Sequence, residues 1–149
     1  MSKKHTETID SKLKTCWQVV SRMYNAEAAL HDLTISMGQF LLNIDSHEGS
    51  YASDIAPLLG MESTSLSRII LSLENKKLIQ RIPDKRDGRK IKIVLTPKGK
   101  SAKELAKNVV RNFNHLVEVK IGKEKVNEFY NTIDEIVTLA EERNKLIKH

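Results

Sequence analysis

Between Gln80 and Leu95 the chain changes character, and this segment constrains the fold more than any other. Two β-prone runs, Arg81-Ile82 and Ile91-Lys-Ile-Val-Leu95, bracket Pro83-Asp-Lys-Arg-Asp-Gly88. Proline, aspartate and glycine between such runs are turn chemistry, so the segment predicts a β-hairpin. Ile91, Ile93 and Leu95 alternate with Lys92 and Val94, the pattern of a half-buried strand. The hairpin is also unusually basic, and it follows a short segment rich in serine.

The rest of the chain has helical periodicity. Ile9, Leu13, Cys16, Trp17, Val20, Met23, Tyr24 and Ala28 recur at steps of three and four, which predicts a helix capped by Asp10 or Ser11. Thr34 caps a short second helix that turns Ile35, Phe40, Leu41 and Ile44 inward, and Ser46 to Ser50 form a turn. A third helix carries Ile55, Ala56, Leu58 and Leu59 and stops at Gly60. Pro57 inside it removes a backbone donor, so a kink, a late start or a shortened helix is expected. Glu62-Ser-Thr-Ser-Leu-Ser-Arg68 leads into a fourth helix with the stripe Leu66, Ile69, Ile70 and Leu73, one of its serines serving as cap. Beyond the hairpin, Thr96 and Pro97 open a long helix that Gly122 interrupts, and Val126 to Ala140 continue as the last one. The fold class is therefore mainly α, with one small hairpin.

Two helices joined by a tight turn, here Gly60-Met-Glu-Ser63, are the arrangement that sets the second helix in the major groove of DNA. Ser63, Thr64, Ser65 and Ser67 are small and polar enough to let its N-terminus approach base edges, and Arg68 offers a donor fork for guanine or phosphate. From Lys76 to Lys103 there are eleven Lys or Arg against Asp84 and Asp87, a local balance of +9 in a chain of net charge +6. Phosphate neutralisation dominates non-specific DNA binding, so this concentration predicts double-stranded DNA as partner and a steep salt dependence.

Three stretches carry a resemblance. They are Asp54-Ile-Ala…Leu59-Gly60; Leu66-Ser-Arg-Ile-Ile70…Leu73-Glu-Asn-Lys-Lys-Leu-Ile79; and Arg81…Asp87-Gly-Arg89…Val94-Leu-Thr96…Lys98-Gly99. Together they resemble the MarR family of bacterial transcriptional regulators over nearly the whole chain, the wing from Arg81 to Gly99 being the specific part. The resemblance implies one domain over 1–149, with a winged helix-turn-helix DNA-binding lobe at 34–99 and long dimerisation helices at 8–30 and 97–149. It implies that Arg89 at the wing tip enters the minor groove, where arginine suits the negative potential, with Arg81, Lys85, Arg86 and Lys90 around it. Asp87 would hold the wing in shape through an ion pair with Arg81 or a contact to the opposite turn.

The same resemblance implies a homodimer on a pseudo-palindromic operator, its recognition helices roughly 34–36 Å apart. It further implies a repressor relieved by a small-molecule effector, for which Trp17, Tyr24, Met37 and Phe113 are candidate pocket residues. Two positions depart from the family's pattern: Lys77 stands where glycine usually ends the fourth helix, and Pro57 lies within the third.

Two further classes compete. Some family members sense peroxides with a cysteine in the first helix, which would make Cys16 a redox sensor; beside Trp17 on an apolar stripe it reads first as a small buried hydrophobe, since one matched residue is not a motif. A winged-helix module for protein assembly without DNA is the other. An enzyme is disfavoured, since there is no nucleophile–base set, paired carboxylate site or glycine-rich phosphate loop, and no cofactor is implied. His5, His31, His47, His115 and His149 have no metal-ligand spacing. The single cysteine rules out an intramolecular disulfide and fits a reducing cytoplasm. A polar N-terminus without the apolar core of a signal peptide, and no run near the roughly 18 apolar residues of a membrane span, lead to the same expectation of a soluble cytoplasmic protein with no membrane partner.

Overall fold

The structure is a computed structural model and describes residues 7–148. Among them are six helices and one three-stranded sheet: α1 (Ile9–Ala29), α2 (Ile35–Leu42), β1 (Ser50–Tyr51), α3 (Ala52–Leu59), α4 (Ser63–Asn75), β2 (Ile79–Pro83), β3 (Ile91–Leu95), α5 (Pro97–Ile121) and α6 (Lys123–Ile147). The chain divides into two compact units, one running to Val109 and the other from Val110.

In the first unit the core is assembled from the short helices and the sheet. Phe40, Leu41 and Ile44 from α2 and its C-terminal end, Ile55 from α3, Leu66, Ile70 and Leu73 from α4, and Leu78, Ile79 and Ile93 from the hairpin form one buried cluster. Seven of them are essentially inaccessible to water, and at about 1.5–3 kcal/mol per buried aliphatic or aromatic side chain this cluster is what holds the lobe together. The sheet order is β1-β3-β2, antiparallel throughout, with Ser50 opposite Ile93 and Ile79 opposite Leu95. Ile93 points into the core, whereas Ile91, two residues nearer the tip, is exposed because the hairpin has already left the lobe there.

Local chemistry explains the helix ends. Thr8, rather than Asp10 or Ser11, caps α1: its Oγ1 accepts from Ser11 N at 3.3 Å. Thr34 caps α2 as anticipated, accepting from Met37 N. Pro57 lies inside α3, which continues two residues further to Leu59 and ends at Gly60 in the left-handed conformation. No serine caps α4; Glu62 occupies that position without a side-chain bond, and Ser63 is the first helical residue.

α4 ends in a full Schellman turn, with Lys77 N donating to Glu74 O and Leu78 N to Leu73 O. Lys77 adopts φ +60°, the left-handed conformation that favours glycine at this position of a helix end. Asp32 does the same at φ +57° after α1, where Leu33 N donates to Ala28 O. The two turns are tied together by an ion pair from Lys76 Nζ to Asp32 Oδ2 at 2.5 Å.

Thr96 secures the start of α5 from three directions. Its Oγ1 accepts from Gly99 N and donates toward Lys77 O and Leu78 O, and its N–H donates to Leu78 O. Gly99 is required by the close approach this creates, since a Cβ there would lie 1.8 Å from Leu78 O. The Thr-Pro-Lys-Gly motif is thus the joint between the hairpin, the end of α4 and α5.

Beyond Val109, the second unit comprises the rest of α5 and the whole of α6, separated by Gly122 at φ +100°. α6 buries one residue, Val126.

Candidate nucleic-acid interface

With Leu66, Ile70 and Leu73 turned into the core, the opposite side of α4 is solvent-facing. Ser63, Thr64, Ser65, Ser67 and Arg68 are all exposed there. Ser67 donates its hydroxyl proton to Ser63 O at 2.9 Å, a back-bond along the helix. The N-terminal half of α4 therefore presents small polar groups and one guanidinium, with no bulky side chain blocking approach.

The wing rises from β2 and β3 between Pro83 and Ile91. Lys85, Arg86, Asp87, Arg89 and Lys90 are exposed around its tip. Asp84 organises this loop: its Oδ1 accepts from Arg86 N at 2.7 Å and Asp87 N at 3.0 Å, while its Oδ2 accepts from the Tyr51 hydroxyl. Those bonds, Tyr51 first and the two amides next, hold the Asp84 carboxyl down to about 2. The same contact with Asp84 raises the Tyr51 phenol above its ordinary value. The Tyr51 ring in turn receives Lys90 Nζ at 5.7 Å and Lys92 Nζ at 6.0 Å from its centroid. β1, only two residues long, thus clasps the wing through one side chain.

Asp87 has a more local task than an ion pair with Arg81. Its Oδ1 accepts from Arg89 N at 3.1 Å and its carbonyl from Lys90 N at 2.9 Å, which sets the backbone at Arg89. Arg81 instead pairs with Glu74 near the end of α4, Nη2 to Oε2 at 2.5 Å. It stitches the base of the wing to the recognition-helix candidate.

The basic count from Lys76 to Lys103 also resolves into different roles. Lys103 is 7% exposed and donates to Ile44 O, so its charge closes the carbonyl end beyond α2; burial, then Lys107, lowers its pKa. Lys76 is bound to Asp32 and Lys98 donates to Lys76 O at 3.2 Å. Among the described contacts, the exposed side chains of Lys77, Lys85, Arg86, Arg89 and Lys100 have no such tie, and Lys85, Arg86 and Arg89 stand together on the wing tip. Asp84, Tyr51 and Glu74 were not among the residues singled out from sequence. Asp84 did stand in the Pro83–Gly88 turn, where a carboxylate capping its own loop is a known device.

A cleft opens in the first unit between the ends of α1 and α4 and the start of α5, lined by His31, Asp32, Leu33, Lys76, Leu78, Lys98, Ala102 and Leu105. The anticipated pocket residues lie elsewhere: Trp17 is 54% exposed on α1, Tyr24 is partly buried, Met37 packs against the lobe core, and Phe113 belongs to the C-terminal unit. Cys16 is exposed rather than buried. Among the described residues no group of three or more His, Cys, Asp or Glu is placed to hold a metal, and no helix is long and apolar enough to cross a membrane. His5 and His149 lie outside the described residues.

A helix-turn-helix followed by a basic hairpin, packed on one core, defines a winged helix-turn-helix protein. The model of the MarR family matches residues 33–91, from the turn after α1 to the first residue of β3, so this part of the chain is similar to that family. The fold is that of solved transcriptional regulators. The S. aureus MepR–DNA complex superposes with a TM-score of 0.81 at 20% identity, covering 89% of this chain and 98% of that one. The transcriptional repressor CouR bound to a 23-mer DNA duplex gives 0.78 at 24% identity over 91% and 96%. The PcaV regulator from Streptomyces coelicolor, in complex with its natural ligand, gives 0.78 at 14% identity over 94% and 99%. No curated protein sequence matches the chain.

Proposed function

We propose that this chain is a sequence-specific double-stranded DNA-binding regulator, a cytoplasmic homodimeric repressor relieved by a small ligand. The observation that carries the reading is the pairing, on one lobe, of an open polar face on α4 with a wing whose exposed cations are splinted by Asp84. In this reading the α4 face enters the major groove and Arg89 reaches the adjacent minor groove, while Lys85, Arg86 and Lys90 neutralise phosphates. MepR and CouR, which share the fold, are solved on DNA, and CouR is a repressor.

Dimerisation is supported by apolar side chains that the single chain leaves in water. Ile9, Leu13 and Trp17 on α1 and Phe129, Tyr130 and Val137 on α6 are all more than a third exposed. Two-fold pairing would bury them and set two α4 helices on successive major grooves of a pseudo-palindromic operator. For the effector, the cleft sets the apolar Leu33, Leu78, Ala102 and Leu105 beside Lys98 and the Lys76–Asp32 ion pair, chemistry that suits a small organic acid. PcaV, of the same fold, is solved with a natural ligand. A ligand there acts only through unequal affinity for the DNA-bound and free forms.

The deciding experiment is a binding titration of the purified protein with its own upstream DNA and with a scrambled duplex, across a salt series. Tight, selective binding that falls steeply with salt is expected. Weak binding alike to both duplexes counts against that operator, and no binding at low salt overturns the reading in favour of a protein-assembly module.

A further inference from the structure

One residue on α4 does not match the polar surface around it. Taking buried Leu66, Ile70 and Leu73 as one side, the helical period of 3.6 residues puts Thr64, Arg68, Leu71 and Asn75 on the other. All four are exposed, and Leu71 leaves 51% of its surface open. Leu71 does not serve the core, which Ile70 and Leu73 fill and against which Ile69 packs. One turn earlier on the same flank stands Ser67, whose hydroxyl proton is committed to Ser63 O. Toward an approaching molecule, Ser67 Oγ therefore offers lone pairs only.

We propose that Leu71 is a specificity-determining residue that packs on the 5-methyl group of a thymine, while Ser67 accepts from the exocyclic amine of the adenine in the same A·T pair. The proposal rests on the DNA-binding reading above and adds what the recognition helix reads. In the major groove thymine alone carries a methyl, and adenine N6 and cytosine N4 are the donors. Ser67 by itself does not separate adenine from cytosine; a donor next to a methyl occurs only at A·T. Side chains four apart on a helix lie about 5–6 Å apart at Cβ, close enough to address one pair together. A solitary exposed leucine elsewhere on a surface needs no explanation. Between Arg68 and Asn75 on a groove-facing ridge it does, because a hydrocarbon set against a bare base donor or acceptor leaves that group without its water.

The test uses a duplex that the wild-type protein selects from a random-sequence DNA pool, and a copy of it with half-site thymines replaced by uracil, which removes only the methyls. Affinity at one salt concentration is measured for wild type and Leu71→Ala on both. Wild type is expected to lose about fourfold per half-site on the uracil duplex, the equivalent of one buried methylene-sized group, or roughly 15-fold for both half-sites. Leu71→Ala should lose at least as much on the thymine duplex and then be indifferent to uracil, with its melting temperature unchanged. A fresh selection with Leu71→Gln should no longer return thymine at the corresponding position.

Selective binding by wild type that ignores uracil, or losses from Leu71→Ala and uracil that simply add, would overturn the assignment while leaving the regulator reading standing. A pool that yields no selected sequence removes both.

Discussion

The lobe formed by α2, α3, α4 and the sheet and the long helices α1 and α6 are built from similar apolar stripes, yet they end in opposite states. The lobe buries ten apolar residues in one cluster. Across their 21 and 25 residues, α1 buries none and α6 buries Val126 alone. Periodicity marks a face as apolar; it does not say whether that face is covered by its own chain or by another. The lobe is a core closed by one chain, whereas the long helices leave their apolar faces largely open.

The strongest way to break this contrast is to truncate one phenylalanine from each side of it. Phe40→Ala, at a fully buried site, is expected to cost about 3–5 kcal/mol, with an effect on chemical denaturation independent of protein concentration. Phe129→Ala, 54% exposed within one chain, should instead lower stability by an amount that depends on protomer concentration and weaken self-association in sedimentation equilibrium. A concentration-independent loss at Phe129 would place it in the packing of its own chain and remove the contrast.

Next in size is the separation, within the lobe, of what folds it from what it binds with. Arg89→Ala should weaken operator binding by roughly 10- to 150-fold, the worth of about 1.5–3 kcal/mol for a charge-assisted hydrogen bond, with unaltered melting and dimerisation. The side chain is exposed, and only its backbone N–H is engaged, by Asp87. Normal binding by this variant would mean that the wing tip does not touch DNA.

How much of this was legible in the sequence follows from the range over which each signal acts. Thr34, Gly60, Pro97 and Gly122 announced helix ends because capping and left-handed geometry are local. The stripe on α4 and the turn at 83–88 were legible for the same reason. Tyr51 and Asp84 are 33 residues apart, so their bond had no local trace, and a two-residue strand is too short for a periodic signal. Lys103 misled the charge count because a long amphipathic side chain can spend its ammonium on a backbone carbonyl while its stem is buried. The resemblance offers Asp87 either an ion pair with Arg81 or a contact to the opposite turn, but β2 carries Arg81 back to the end of α4 and to Glu74.

The clasp of the wing is a third kind of anchoring, polar rather than apolar, and pH should separate it from the core. The Asp84 carboxyl is held down to about 2 in the folded protein, below the ordinary aspartate value of 3.8. Its contribution is therefore fully present above about pH 4 and lost as pH falls toward 2. Tyr51, raised above 10.0, contributes below that value and ceases to as pH rises through its folded pKa. Asp84→Asn should flatten the acid limb of the stability profile, and Tyr51→Phe the alkaline limb. Protection of the Arg86 and Asp87 amides from hydrogen exchange should fall in Asp84→Asn, while the amides of α4 keep theirs. Equal loss in α4 would mean that the wing is continuous with the lobe core.

The smallest expected effect tests the joint between the two kinds of region. Lys77 is held at φ +60° by the Schellman turn that lets Leu78 and Leu73 both reach the core. A left-handed conformation costs a non-glycine residue about 1–2 kcal/mol, while glycine gives back about 0.5–1 kcal/mol in backbone entropy. Lys77→Gly should thus raise lobe stability by roughly 0.5–1 kcal/mol, read as a higher denaturation midpoint at unchanged slope. Because the bonds at this turn are made by backbone atoms, and the ion pair to Asp32 belongs to Lys76, neither is disturbed. A destabilised Lys77→Gly would mean that the lysine side chain itself holds the end of α4, and that the strain at this turn is matched by a contact the backbone does not make.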